Sequence, residues 1–141
     1  MTSSRKARLT AFLEAVWNQG DVNAVGDHVA ERYTVRHDPG DPWHGQTLDQ
    51  AGFAERLLTS RSAFPDQRFT VVDMVEEADR VAVSWTWEAT HLGDLPGYPA
   101  SGKTISMSGL TVYDFEGDRL AGHWQSCDRL GVFMQLQANR S

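Results

Sequence analysis

The sequence predicts an α+β domain in which N-terminal helices pack inside a strongly curved, mostly antiparallel sheet. Two observations carry this. Helical periodicity is concentrated before residue 67, and a period of two, broken by hairpin-type turns, dominates after it. The order is helices first, then a meander, then a short terminal helix, which is not the βαβ alternation of a parallel sheet. A curved sheet wrapped over helices makes a cone with one closed, apolar end, where a small-molecule pocket is expected.

The elements follow in order. Ser3 or Ser4 can cap a first helix, whose Leu9, Phe12, Leu13, Val16 and Trp17 keep one-face spacing until Gly20 ends it. Asp21 can cap a short second helix with Val22, Val25 and Val29 inward. Tyr33 to Val35 read as a short strand. His37-Asp38-Pro39-Gly40-Asp41-Pro42-Trp43-His44-Gly45 is a loop, because two Pro and two Gly deny it regular structure. Thr47 and Gln50 form a plausible capping box for a third helix with Phe53, Leu57 and Leu58 inward, closed by Phe64-Pro65-Asp66.

Then Phe69, Val71, Asp73 and Val75 alternate with Thr70, Val72 and Met74. After a turn at residues 76–80, Val81, Val83, Trp85 and Trp87 alternate with Ala82, Ser84, Thr86 and Glu88. His91 to Gly102 is a loop. Residues 103–115 form a third long strand, with Ile105, Met107, Gly109, Thr111 and Tyr113 on one face. Glu116-Gly117-Asp118 turns into a fourth strand over 119–127, and Leu130 to Leu136 are helical.

The 141 residues suit one domain, 1–141, with one core. No apolar stretch is long enough to span a membrane, and the first residues lack a secretory signal, so a cytoplasmic location is expected. A net charge of −6 offers no basic footprint for nucleic acid. The single cysteine, Cys127, excludes an internal disulfide framework and a thiolate zinc cluster.

Several motifs agree in order and spacing: Val16-Trp17-Asn18-Gln19-Gly20-Asp21, His37-Asp38-Pro39, Ala63-Phe64-Pro65-Asp66, Asp79-Arg80-Val81-Ala82-Val83-Ser84-Trp85, Thr90-His91-Leu92-Gly93, Gly97 to Lys103, and Gly117-Asp118-Arg119 with His123-Trp124, Asp128 and Gln135-Leu136. Over residues 9–137 the chain resembles the SnoaL-like polyketide cyclase family of the nuclear-transport-factor-2-like fold. The resemblance implies a cone-shaped α+β barrel, a homodimer or higher homo-oligomer, and acid–base cyclisation of a polyketide-like small molecule without metal or organic cofactor. In the family's aldol cyclases the acting Asp lies two residues after the last-strand His, which here is Gln125. Their partner His falls at Thr111. An amide cannot titrate, so Gln125 can only hydrogen-bond an enolate or carbonyl oxygen.

Proton chemistry in such a cone then rests on Asp128 and His123. Asp128 begins the last helix, where it also suits a cap; His123 titrates near neutrality unless perturbed. Gln125, of the same strand parity as His123, is expected to face the pocket with it. His37, Trp85, Trp87, Met107, Thr111 and Tyr113 are candidate substrate-binding residues. Glu88 is an alternative base if it faces inward, and Asp38, Arg36, Asp128 and Glu88 are the partners for epoxide opening on the same fold. His37, Asp38, Asp41 and His44 could suggest a metal site, but no helix or strand fixes their spacing, and no metal is expected. Cys127 reads as a buried, inert thiol. A binding domain without catalysis is the third reading, motivated by the replaced aldol pair.

Overall fold

The structure, a computed structural model, describes residues 4–140. Helix α1 (Arg5–Phe12) is capped by Ser4, whose hydroxyl accepts from the Ala7 amide; Ser3 lies outside the described residues. The chain then widens into a π-helical stretch, Leu13–Asn18, and ends at Gly20, whose φ of +69° is costly for any side-chain-bearing residue. Here the Trp17-Asn18-Gln19-Gly20-Asp21 run acquires a physical meaning. The Asn18 amide bonds both the N–H and the C=O of Phe69, so it acts as a short surrogate strand at the start of the sheet. Arg61 donates to the Trp17 carbonyl from the facing helix.

Asp21 caps a 3₁₀ turn, Val22–Ala24, and α2 follows as Val25–His28. Val29 is buried but belongs to β1 (Val29–His37), which is far longer than a strand over 33–35. The apolar spacing of Val22, Val25 and Val29 carries across two element types, so periodicity alone merged them.

The capping box at Thr47 does not form. Thr47 sits in a two-residue strand, β2 (Thr47–Leu48), and Asp49 caps α3 (Gln50–Ala63) by accepting from the Gly52 amide. Gln50 instead donates to the Val29 carbonyl. Leu58 points to solvent, and the inward position beside Leu57 is held by Arg56, 7% exposed. That exchange matters for the site.

The sheet is completed by β3 (Arg68–Glu77), β4 (Arg80–Thr90), β5 (Thr104–Glu116) and β6 (Arg119–Cys127), in the order β2-β1-β6-β5-β4-β3. All pairings are antiparallel except β1 with β6. Irregularities between Val71 and Asp73, and between Asp114 and Phe115, shift the register and bend the strands. The first also breaks the alternation of β3, leaving Val71, Val72 and Val75 exposed. The sheet curves over α1 and α3, and α4 (Arg129–Ala138) packs against β5. Leu9, Phe12, Val16, Phe53 and Leu57 from the helices meet Val81, Val83, Trp85 and Ile105 from the sheet in one core. Among the described residues no helix is long and apolar enough to cross a membrane.

Candidate active site

A cavity of about 400 Å³ opens within the curve of the sheet. Its walls are aromatic: Trp17, Phe64, Phe69, Trp85, Trp87 and Tyr113, with Trp43 from the 38–46 loop. One side is polar, and there β1, α3, β6 and the start of α4 each contribute a side chain.

At the centre of that side lies Asp38, just beyond the end of β1 and completely shielded from solvent. Its Oδ2 is 2.9 Å from His123 Nε2, and Arg129 Nη2 donates to its Oδ1 at 2.7 Å. Gln125 Nε2 lies 3.3 Å from Oδ2, and Arg56 Nη2 3.5 Å. Arg56 also donates to Asp41 at 3.0 Å and stacks over Trp17, 5.2 Å from the ring centre. One carboxylate thus ties β1, α3, β6 and α4 together. Burial, the largest influence, pushes the Asp38 carboxyl up. The hydrogen bonds from His123 and Arg129 and the Arg129 charge overcome it, and the group is held below its ordinary value.

His123 is 2% exposed and engaged at both nitrogens, with Nδ1 2.5 Å from the Tyr33 hydroxyl. An ionised Asp38 can only accept, so Nε2 carries the ring proton and Nδ1 accepts from Tyr33. Burial drives the His123 pKa down, outweighing the Asp38 hydrogen bond that raises it, which favours this neutral ring. Burial also lifts the Tyr33 phenol well above its ordinary value, so it stays protonated. The result is a directed chain, Tyr33 O–H to His123 to Asp38, beside the cavity.

The sequence candidates separate cleanly. His123, Gln125, Trp85, Trp87, Met107 and Tyr113 line the cavity. Thr111 lies directly across the β5–β6 ladder from Gln125, brought there by the register shift between Asp114 and Phe115. It sits one layer back, accepting from Trp85 Nε1 at 2.9 Å and donating to Gln125 Oε1 at 2.8 Å. The two positions at which the resemblance implies an aldol pair thus carry a hydroxyl and an amide bonded to each other.

Asp128 is not in the lining. It is exposed and caps α4, accepting from the Gly131 amide at 2.9 Å. His37 is also outside the lining, stacked on the half-exposed Trp124 with ring centres 4.3 Å apart. Glu88 faces solvent in register with Arg68, and Arg36 pairs with Asp114. The Cys127 thiol is raised by burial, as suits an inert group. His44 Nδ1 accepts from the Asp38 amide rather than joining its carboxylate. No group of three or more His, Cys, Asp and Glu among the described residues could hold a metal ion.

Tyr33, Arg56 and Arg129 were missed as site residues in the sequence. A signal existed only for Arg56, a cation between Phe53 and Leu57 on the apolar stripe of a helix.

Comparison with known proteins agrees with this architecture. A candidate polyketide cyclase from Acidithiobacillus ferrooxidans is 50% identical, with a TM-score of 0.94 and 99% of each chain covered. IdmH, a candidate polyketide cyclase from Streptomyces antibioticus, is 25% identical, with a TM-score of 0.81 over 96% of this chain and 99% of its own. AclR, a candidate hydroxylase from Streptomyces galilaeus, shares the fold at 23% identity and a TM-score of 0.78, with 94% of this chain and 84% of its own covered. No curated protein matches the chain. Residues 7–136 match the description of SnoaL-like polyketide cyclases, and with the fold and cavity above this establishes that the chain belongs to the SnoaL-like polyketide cyclase family.

Proposed function

We propose that the protein is a cytoplasmic, cofactor-independent enzyme of secondary metabolism that cyclises or isomerises a polyketide-like small molecule by acid–base chemistry. The observation that carries this reading is the buried Tyr33–His123–Asp38 chain beside an aromatic-walled cavity. Its proton chemistry is assigned to His123 and Tyr33, with Asp38 as the positioning residue, in place of Asp128. Asp38 fixes the tautomer that leaves Nδ1 basic and stabilises the imidazolium once it forms.

In the proposed step, Tyr33 Oη takes an acidified C–H proton from the substrate while its own proton passes to His123 Nδ1. The C–H electron pair moves onto the adjacent carbonyl oxygen as an enolate. For cyclisation the enolate carbon forms a bond to a second carbonyl carbon, and the proton returns from His123 through Tyr33 to the new alkoxide. For isomerisation it returns to a different carbon. Gln125 is assigned the task of donating to a substrate oxygen, in keeping with an amide where the aldol enzymes use an acid. Exposed Leu110 and Trp124, on the outer side of the sheet, favour assembly into a homodimer or higher homo-oligomer.

Hydrogen–deuterium exchange at C1 of 2-tetralone, followed by NMR, tests the proton step without the natural substrate. The wild-type protein should accelerate exchange above buffer. His123→Gln should remove about 10²- to 10⁴-fold of that acceleration, if it is that large, or all of it if smaller. Equal rates for wild type, His123→Gln and buffer would overturn the reading.

A further inference from the structure

The polar side of the cavity is unbalanced in one respect: its acceptors are spent and its strongest donors are not. Asp38 Oδ1 receives Arg129, and Oδ2 receives His123, with Gln125 and Arg56 nearby. Asp41 Oδ1 receives the Trp43 amide and Oδ2 receives Arg56. By contrast, Arg56 and Arg129 each use only Nη2 among the described residues. Their Nε atoms are buried without a partner, and Nη1 of each is neither bonded nor sealed away. Arg56, with a side chain 8% exposed, and Arg129, 39% exposed, both line the cavity.

Arg129 is also poorly placed for a cation. It is the first residue of α4, where the helix dipole disfavours positive charge, beside the Asp128 carboxylate that caps the helix. Asp38 compensates one edge of its guanidinium. The unspent edge, with that of Arg56, suits an oxygen anion.

We infer that the cavity takes a planar, unsaturated carboxylic acid, its carboxylate held by Arg56 and Arg129 and its ring system lying among Trp17, Trp85 and Trp87. This rests on the reading of the cavity as the substrate site and adds a charge requirement to it. The acid end anchors the molecule at the polar side and leaves the ring's carbonyl-bearing carbons within the aromatic walls beside Tyr33 and His123.

Two near-isosteric probes test this by calorimetry at pH 7: 2-naphthoate, which carries the anion, and 2-naphthamide, which does not. The wild-type protein should bind 2-naphthoate at least tenfold more tightly. Arg129→Gln should weaken 2-naphthoate by roughly ten- to a hundredfold, the worth of one hydrogen bond to a charged group, and 2-naphthamide by less than about threefold. Equal affinities for the two probes, binding of neither, or an undiminished 2-naphthoate affinity in Arg129→Gln would each overturn the inference. The probe pair needs no variant, so the test survives any loss of folding in Arg56→Gln or Arg129→Gln. Tetralone exchange separates the two ideas. Exchange without carboxylate preference removes the anchor alone, and carboxylate preference without exchange removes the proton chemistry alone.

Discussion

Replacing Asp38 by asparagine removes one charge while leaving the shape of the side chain intact. The aspartate is fully shielded from solvent and sits against two guanidiniums and an imidazole. Asparagine can present one oxygen, so either Arg129 or His123 loses its acceptor and faces an amide N–H instead. Breaking a buried ion pair costs about 3–5 kcal/mol. Two features argue for the lower end: Arg129 is 39% exposed and can be rehydrated, and Arg56 keeps Asp41. We therefore expect a loss of about 3 kcal/mol, which for a domain of this size is a fall of roughly 10 °C in Tm. Urea titration followed by tryptophan fluorescence measures it directly.

The pH dependence supplies a second reading. Asp38 is held below its ordinary 3.8 in the folded state. Its stabilisation is therefore fully present above that value and is lost as pH falls through the lower, folded pKa. The gap between wild type and Asp38→Asn should stay constant from pH 7 to about pH 5 and narrow in stronger acid, because asparagine does not titrate. A gap under about 1 kcal/mol at pH 7, or one that widens on acidification below pH 4, would refute the view of Asp38 as the hub of this network.

The remaining expectations concern its neighbours. Since burial depresses the His123 pKa below 6.5, tetralone exchange should hold level down to that pH and fall on an acid limb with its midpoint beneath it; a midpoint above 6.5 would contradict a neutral, buried ring. Tyr33→Phe should cost about 1 kcal/mol for the lost hydrogen bond and reduce exchange at least tenfold, whereas unchanged exchange would exclude the phenol from the proton path. Asp128→Ala should lose about 1 kcal/mol as a helix cap while Asp128→Asn stays within a few tenths; a large loss of exchange in the stable Asn variant would return Asp128 to the catalytic role. Gly109→Ala would drive a Cβ into the Trp85 ring, so Trp85 must shift from Thr111. About 1–3 kcal/mol of overpacking cost is expected in thermal melts, and a Tm within 1 °C of wild type would refute so tight a fit.

The residues of β4 to β6 show what was legible in the sequence. Period-two alternation put Val81, Val83, Trp85 and Trp87 on one face, whereas the pairing of Thr111 with Gln125 depends on the irregularity between Asp114 and Phe115, which moves the register one residue from that set by the Gly117 turn. Strand parity is local, set by covalently adjacent residues, whereas an irregularity within a strand shifts the register that its turn begins. The third helix shows the limit. Thr47 and Gln50 satisfied a capping pattern, but β1 offered Thr47 a strand partner and the Val29 carbonyl claimed Gln50, so Asp49 became the cap.

The amino-acid sequence by itself determined the fold class and the family likeness, and it put Thr111 and Gln125 where that likeness implies an ionisable pair. It could not decide which acid holds the site, because Asp38 and Asp128 both look plausible as isolated letters near a pocket. Only the tertiary structure separates their surroundings. Asp38 meets residues 18, 85, 87 and 91 positions away in the chain, and its charge persists in the interior because those distant donors converge on it. Asp128 finds its partner three residues on, in the first turn of its own helix, and its carboxylate takes part in no other hydrogen bond or ion pair among the described residues.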